Sequence, residues 1–409
     1  MFVEEHGLWS DEQRAQAQAL RERLEREPVE LIRLAWADPH GASRAKAVSP
    51  AVFFDALERG YNINVATTTL DSAGARVFSS FTRGGGMGLA EDRLSEEHVG
   101  VPGVRGRAIR TTPFEPGYSY HSETNMDVMQ PVLGELARAY SALGLPLRSI
   151  ENEWGPGQVE CTFSAEGALR AADDFLLFRT ATRQVCRRLG CFATFMARPA
   201  LKGYYASGWH LHQSLCDSAG RNLFAGKDLL SPLGEAYLAG LLEHAVAATV
   251  FATPSVNGYR RFRPNSLAPD RAGWGYDHRG AMVRVLGGRD DPATRLENRV
   301  GEPGANPYLF IASQIVTGLD GVERSLKPGP RDDEPYTAER PVLPTNLGQA
   351  LDALEASALF RRQFGEVFID YYVKLKRSEF GRYRKWLSEY RVPEAEPTEW
   401  EQNEYFDFF

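Results

Sequence analysis

Three clusters in the chain have residue types and spacings suited to chemistry on charged oxygens. The first is Glu151-Asn152-Glu153-Trp154-Gly155-Pro156-Gly157-Gln158-Val159-Glu160. Gly-Pro-Gly is turn chemistry, and the alternating flanks read as the strands of a hairpin. Strand side chains repeat every two residues, so Glu151 and Glu153 share a face and the turn can return Glu160 beside Glu153. Like charges so placed repel unless a cation lies between them, and Mg²⁺ or Mn²⁺ takes carboxylate oxygen. Taken alone, the cluster fits a solvated acidic hairpin equally well. The second is Ser207-Gly208-Trp209-His210-Leu211-His212-Gln213-Ser214. Two histidines two apart on a strand point the same way and could offer a metal ligand and a phosphate donor, although an isolated pair is more often ordinary.

The third cluster is a field of nine arginines between Asn257 and Arg299 (260, 261, 263, 271, 279, 284, 289, 295 and 299), with no lysine among them. The planar guanidinium fork matches phosphate and carboxylate oxygens, whereas a merely solvated basic face would mix in lysine. Glycines at 273, 275, 280, 287 and 288 would let backbone approach a ligand closely. Glu297 stands two residues before Arg299. On a strand the two share a face, which suits one metal ligand beside one substrate-anchoring cation.

These clusters need elements to hold them. Ser10 and Gln13 form a capping box for a helix running to Pro28. The stretch from Val29 to Asp38 reads as a strand ending in the turn Asp38-Pro39-His40-Gly41. Strand-like pieces follow at Asn62 to Thr69 and Arg76 to Phe81, and Gly84-Gly85-Gly86 breaks the order. Val128, Val132, Leu136 and Tyr140 recur on one helix face. Leu147 and Ile150 lead into a strand, and a helix spans Leu169 to Leu189. Asn306-Pro307 caps a helix through Leu319, and further helices occupy Leu347–Leu359 and Phe364–Tyr390. The pattern is α+β.

The composition narrows the function class. The chain has 409 residues, 43% of them hydrophobic, enough for two or three domains. A net charge of −7 and a pI of about 5.7 disfavour nucleic acid and anionic lipid as partners. The acidic start is unlike a secretory signal, and the longest apolar run, near Leu238 to Ala252, is interrupted by Glu243 and His244. Cys161, Cys186, Cys191 and Cys216 form no C-x-x-C pair and fit reduced thiols, so a cytoplasmic enzyme is expected.

The order E-N-E-W-G-P-G-Q-V-E, then S-G-W-H-L-H-Q-S-L, N-G-Y-R-R-F-R-P, R-L-E-N-R and A-N-P-Y-L resembles the glutamine synthetase family from about Gly117 to the C-terminus. The resemblance implies a small β-grasp-like N-terminal domain (residues 1–105, shortened near 88–117) and a catalytic domain of antiparallel sheet with flanking helices (106–409). It implies stacked rings, dodecameric in the family, with each active site shared between neighbouring subunits. The aromatic residues Phe364, Phe368, Tyr371, Tyr372 and Tyr405–Phe409 are expected to offer surface for such contacts. Glu153 and Glu160 resemble the ligands of one divalent metal ion, Mg²⁺ or Mn²⁺, and His210 and Glu297 those of a second. Arg261 and Arg299 match the catalytic arginines that hold glutamate and its developing acyl phosphate. Arg279, Arg284, His212 and Ser214 match positions around ATP. The implied reaction phosphorylates the γ-carboxylate of glutamate, and an amine then displaces phosphate.

The chain departs from the family in three places. Six residues past Arg261, where a glutamate helps form the ammonium site, stands Leu267, and the loop Asn62 to Thr67 supplies no acid. An apolar wall suits a neutral aromatic amine better than an ammonium ion. The E-N-E-W and S-G-W-H variants are most similar to γ-glutamylanilide synthetases and kindred γ-glutamylamide ligases. Tyr205-Ala206 replaces an Asn-Gly pair that helps hold the α-amino acid end of glutamate. Between Gly88 and Gly117, where the family has an E-x-E strand, Glu91, Glu96 and Glu97 sit in a run that does not alternate. The expected function is therefore ligation of glutamate to an organic, aromatic amine. An ordinary glutamine synthetase and a non-catalytic scaffold or regulator of the same fold are the alternatives.

Overall fold

The computed structural model describes residues 2–63, 65–75, 77–78, 111–263, 266–391 and 396–409. Glu91, Glu96 and Glu97, and most of the stretch between Gly88 and Gly117, lie outside the described residues, as do Arg76 and Ser79–Phe81.

A short helix α1 (Phe2–Glu5) precedes α2 (Asp11–Arg26), which opens on the expected capping box: Ser10 Oγ accepts from Gln13 N at 3.2 Å, and Gln13 Oε1 from Ser10 N at 2.9 Å. Strands β1 (Ile32–Ala37) and β2 (Ser43–Val48) pair antiparallel, from Ile32 opposite Val48 to Ala37 opposite Ser43. Asp38 Oδ1 closes their turn by accepting from His40 N and Ala42 N. Helix α3 (Pro50–Arg59) follows and ends at Gly60. The strand expected over Asn62 to Thr69 is instead a 3-10 turn, Val65–Thr68. Its β-branched residues suit a strand, but Tyr371 takes its last carbonyl, and the carbonyls just beyond it meet Val77 N and the His40 ring. Tyr371 Oη donates to Thr68 O at 2.5 Å, and the His40 ring meets Leu70 O at 3.0 Å.

Helices α4 (Glu123–Ala142) and α5 (Ala168–Arg188) pack together and flank the hairpin of β3 (Leu147–Asn152) and β4 (Val159–Phe163). The buried stripe of α4 is Met129, Leu133, Leu136 and Tyr140, whereas Val128 is exposed. A strict four-residue spacing drifts off one face of a 3.6-residue helix, which is why the expected stripe is one position out at its start.

The C-terminal half centres on four strands: β5 (Leu211–Gln213), β6 (Trp274–Tyr276), β7 (Val283–Leu286) and β8 (Arg295–Asn298), in the order β5-β8-β7-β6. The sheet is mixed, not wholly antiparallel, because β6 runs parallel to β7. Its apolar face (Val283, Val285, Leu296) packs on α6 (Pro232–Glu243), α7 (Ala245–Ala252) and α8 (Pro307–Glu323). Asn306 caps α8 as expected, accepting from Tyr308 N and Leu309 N. Helices α6 and α8 approach so closely that a Cβ at Gly240 would lie 2.1 Å from Thr317 O, so only glycine fits. The apolar run from Leu238 to Ala252 is thus two buried helices. Among the described residues no helix is long and apolar enough to cross a membrane.

A second core joins α7 to α9 (Leu347–Glu355), α10 (Ala358–Phe364), α11 (Glu366–Tyr390) and α12 (Glu399–Tyr405). It absorbs the C-terminal aromatics. Tyr372, Tyr405, Phe406, Phe408 and Phe409 are buried inside the chain, and Phe364, Phe368 and Tyr371 pack partly buried against them. The buried ones are therefore core, not the apolar surface expected of them.

Candidate functional site

The β3–β4 hairpin carries the acidic cluster. Glu151 lies opposite Glu160 in the register, and Glu153 N donates to Gln158 O across the turn at 2.9 Å. Gln158 Oε1 accepts from Gly155 N at 2.8 Å, while its amide nitrogen donates to Ala206 O at 3.1 Å and Ser207 Oγ at 2.8 Å. This side chain, which the sequence did not single out, ties the acidic turn to the start of the S-G-W-H segment. A Cβ at Gly155 would lie 2.7 Å from Gln158 Oε1 and 2.8 Å from Tyr205 Cβ, so the junction requires glycine. Burial of the Glu160 carboxyl, then its hydrogen bond with Glu153 and the charges of Glu153 and Glu151, push it up to about 7. Two carboxyl groups sharing a proton are a cradle that a divalent cation would fit.

The sheet assembles the second group. Glu297 on β8 pairs in register with His212 on β5 and Arg284 on β7, so one carboxylate is flanked on both sides. Arg284 Nη1 donates to Glu297 Oε2 at 3.2 Å, and Arg299 Nη1 donates to Glu297 Oε1. His210 Nδ1 lies 3.3 Å and His212 Nε2 3.9 Å from Glu297 Oε1. Burial alone would raise Glu297. The His210 hydrogen bond and the charge of Arg299 overcome it and hold the carboxyl well below its usual range. Burial pushes His210 down to about 4, leaving a neutral imidazole of the kind that ligates metals. His212 is also lowered, by burial first and then by the surrounding arginines, and accepts from Arg295 Nε at 3.1 Å.

Arg299 links the parts. Besides Glu297 it reaches Arg279 O through Nε at 2.8 Å and Leu267 O through Nη2 at 3.3 Å. Leu267 adopts a left-handed backbone (φ 60°), and the residue is 58% exposed. Arg279 is exposed, and its charge acts on both Glu160 and Arg299. Arg261 is buried, with Nη1 donating to Val300 O at 2.9 Å and Gly301 O at 2.7 Å. Burial pushes it down to about 10. It fixes the backbone that presents Arg299. Ser214 is exposed one residue beyond β5.

The nine arginines do not form a single field. Arg260 and Arg263 turn to Glu401 and Glu396, and Arg271 to Asp270 and Ala338 O. The four expected metal ligands come together as two pairs, Glu153 with Glu160 and His210 with Glu297. Among the described residues no three histidine, cysteine or acidic side chains converge on one metal position. Trp209 was not foreseen as a support. It stacks on Phe175 (centroids 3.8 Å apart, planes 6° from parallel), and its amide donates to Gly301 O at 2.8 Å, which fixes His210 beside it.

A mixed sheet that sets histidine, carboxylate and arginine in a row, next to a paired-carboxylate hairpin, defines a catalytic domain for chemistry on phosphate and carboxylate oxygens. The model of the glutamine synthetase catalytic domain matches residues 92–400, and the chain belongs to the glutamine synthetase family. It is 39% identical to the γ-glutamylanilide synthase of an Acinetobacter species, over 99% of this chain and 98% of that protein. That alignment runs over 495 positions against 409 residues here, so the Acinetobacter protein carries sequence with no counterpart in this chain. A γ-glutamylethanolamide synthetase of Streptomyces coelicolor is 32% identical over 68% of this chain and 58% of that protein. The solved structure of ligand-free GmaS superposes with a TM-score of 0.71 at 25% identity, covering 94% of this chain and 98% of that one. The fold is that of glutamine synthetases, a family that uses ATP and divalent metal ions.

Proposed function

We propose that this enzyme is an ATP-dependent ligase that joins the γ-carboxylate of glutamate to an organic, aromatic amine through γ-glutamyl phosphate. One observation carries the choice of amine. Leu267 is exposed where its own carbonyl is held by Arg299, so the wall beside the anion-gripping arginine is apolar and offers no counter-charge to ammonium. The Acinetobacter relative is named for an anilide, which supports an aromatic amine, whereas the Streptomyces relative is named for an ethanolamide and supports only ligation of glutamate to an organic amine.

In this reading Glu153 and Glu160 hold one divalent cation, Mg²⁺ or Mn²⁺, and His210 and Glu297 hold the other. Bound there, the cations would neutralise charge on the phosphate oxygens. Arg299 and Arg284, which neutralise Glu297 in this structure, would then be released toward anionic substrate. Arg299 and Arg261 keep glutamate and the acyl phosphate in place. Arg279 and Arg284, with His212 and Ser214, face the nucleotide, and Leu267 lines the amine pocket. Positioned charge of this kind is the main source of rate in phosphoryl transfer.

We infer further that residues 1–105 form a β-grasp-like domain and 106–409 the catalytic domain, and that subunits assemble in rings. Exposed Tyr118, Tyr120, Trp154, Tyr205 and Leu267 around the open side of the site support a neighbouring subunit closing it. The functional test is phosphate release from ATP and glutamate with aniline, ethylamine or ammonia. Turnover should be fastest with aniline, and a preference for ammonia would return the protein to the ordinary glutamine synthetases.

A further inference from the structure

Helix α12 lies far along the chain from every cluster that carries chemistry, yet its polar side chains end on two segments that build the site. Glu401 is fully buried and accepts from Asn257 Nδ2 and Arg260 Nε, both at 3.1 Å, and from Arg260 Nη2 at 3.2 Å. Asn257 and Arg260 belong to the 3-10 turn Asn257–Arg261, whose last residue is Arg261. Tyr405 Oη accepts from Val256 N at 3.2 Å, immediately before that turn, and donates to Glu379 on α11 at 2.5 Å.

The same helix grips the other segment. Gln402 Oε1 accepts from Ala200 N at 2.7 Å. Asn257 Oδ1 accepts from Arg198 N at 2.7 Å, and Ser207 N donates to Ala197 O at 2.7 Å, which carries the connection to the start of S-G-W-H. Glu401 also accepts from Thr398 N at 2.8 Å in its own capping box, so the carboxylate that braces the turn also starts the helix. A buried carboxylate with several donors is held in one place, because any displacement would strand a charge or an amide.

We propose that α12, through Glu401 and Tyr405, is a positioning strap that sets Arg261 against the Arg299–Gly301 backbone and thereby tunes the glutamate site but not the nucleotide site. The inference rests on the proposed roles of Arg261 and Arg299 in holding glutamate. The strap's ties run to 198–200 and 256–260, whereas Arg284 and His212 are set by sheet pairing with Glu297. Glu401 and Tyr405 are positioning residues, with no expected contact to substrate.

The test uses full-length protein with aniline as the amine and varies glutamate and ATP separately. Glu401→Gln and Tyr405→Phe should each raise KM for glutamate about five- to tenfold, the size expected for a lost buried hydrogen bond, with KM for ATP nearly unchanged. Glu396→Gln, which removes only exposed ion pairs to Arg198 and Arg263, should leave both constants alone. If Glu401→Gln does not fold, Tyr405→Phe decides. An unchanged KM for glutamate in the folded variants, or a parallel rise in KM for ATP, would overturn the strap. A wild type without glutamate-dependent ATP turnover would instead overturn the functional reading, and the strap with it.

Discussion

Replacing Leu267 by glutamate probes amine selection most sharply. A leucine fully buried contributes about 2 kcal/mol, and with 58% of Leu267 exposed about 1 kcal/mol remains to be gained when a ligand covers it. The covering ring gains a comparable amount, so wall and ring together contribute about 1.5–3 kcal/mol, roughly tenfold to a hundredfold in affinity. Glutamate, like leucine, is unbranched at Cβ, so the left-handed backbone at this position costs it no more than it costs leucine. Leu267→Glu should therefore lower kcat/KM for aniline by about one to two orders of magnitude and raise use of ammonia. An alkylammonium ion should bind the wild type poorly, since it loses hydration without gaining a counter-charge. Initial rates of phosphate release with aniline, ethylamine and ammonia supply the comparison. A wild type that prefers ammonia, together with a Leu267→Glu variant indistinguishable from it, would refute the reasoning.

The two proposed metal-binding pairs should respond differently to alanine. Glu160→Ala should abolish turnover and weaken Mn²⁺ binding, read by electron paramagnetic resonance, with little change in thermal stability because it relieves repulsion with Glu153. Glu297→Ala should also abolish turnover but lower stability to urea by about 3–5 kcal/mol, because it strands buried Arg299. Burial pushes Glu302 up to about 7, so the native state holds a proton that the unfolded chain releases near the ordinary carboxylate value. Stability from this group is full below about pH 4.5 and is lost as pH rises toward about 7, on the order of 3 kcal/mol, and Glu302→Gln should flatten that fall in urea titrations between pH 5 and 8. Light scattering should show a ring-sized oligomer, and a fully active monomer would remove the basis for shared sites.

The local placement of the candidate site residues was legible in the sequence because strand periodicity and turn chemistry are local. Gly155-Pro156-Gly157 announces the hairpin, and the i, i+2 spacing of Glu297 and Arg299 puts both on one face, where Arg299 donates to Glu297. Sheet order was not legible. Nothing local in 211–213, 283–286 or 295–298 says that β8 runs between β5 and β7, yet that order brings His212 and Arg284 to either side of Glu297. The division of the arginines was hidden for the same reason. Arg260 and Arg261 are neighbours in sequence, but one ends on the C-terminal helix and the other on the backbone behind Arg299. The C-terminal aromatics read equally well as surface or core, since apolar content cannot say which neighbour covers it. The 3-10 turn at Val65–Thr68 shows tertiary partners overriding β propensity.

Oxygen transfer from labelled glutamate tests the central claim most directly. With ¹⁸O in the γ-carboxylate and ATP, glutamate and aniline supplied together, mass spectrometry of the products follows each oxygen. Passage through γ-glutamyl phosphate moves one labelled oxygen into the released phosphate for every γ-glutamylanilide formed. Unlabelled phosphate accompanying γ-glutamylanilide would contradict the account.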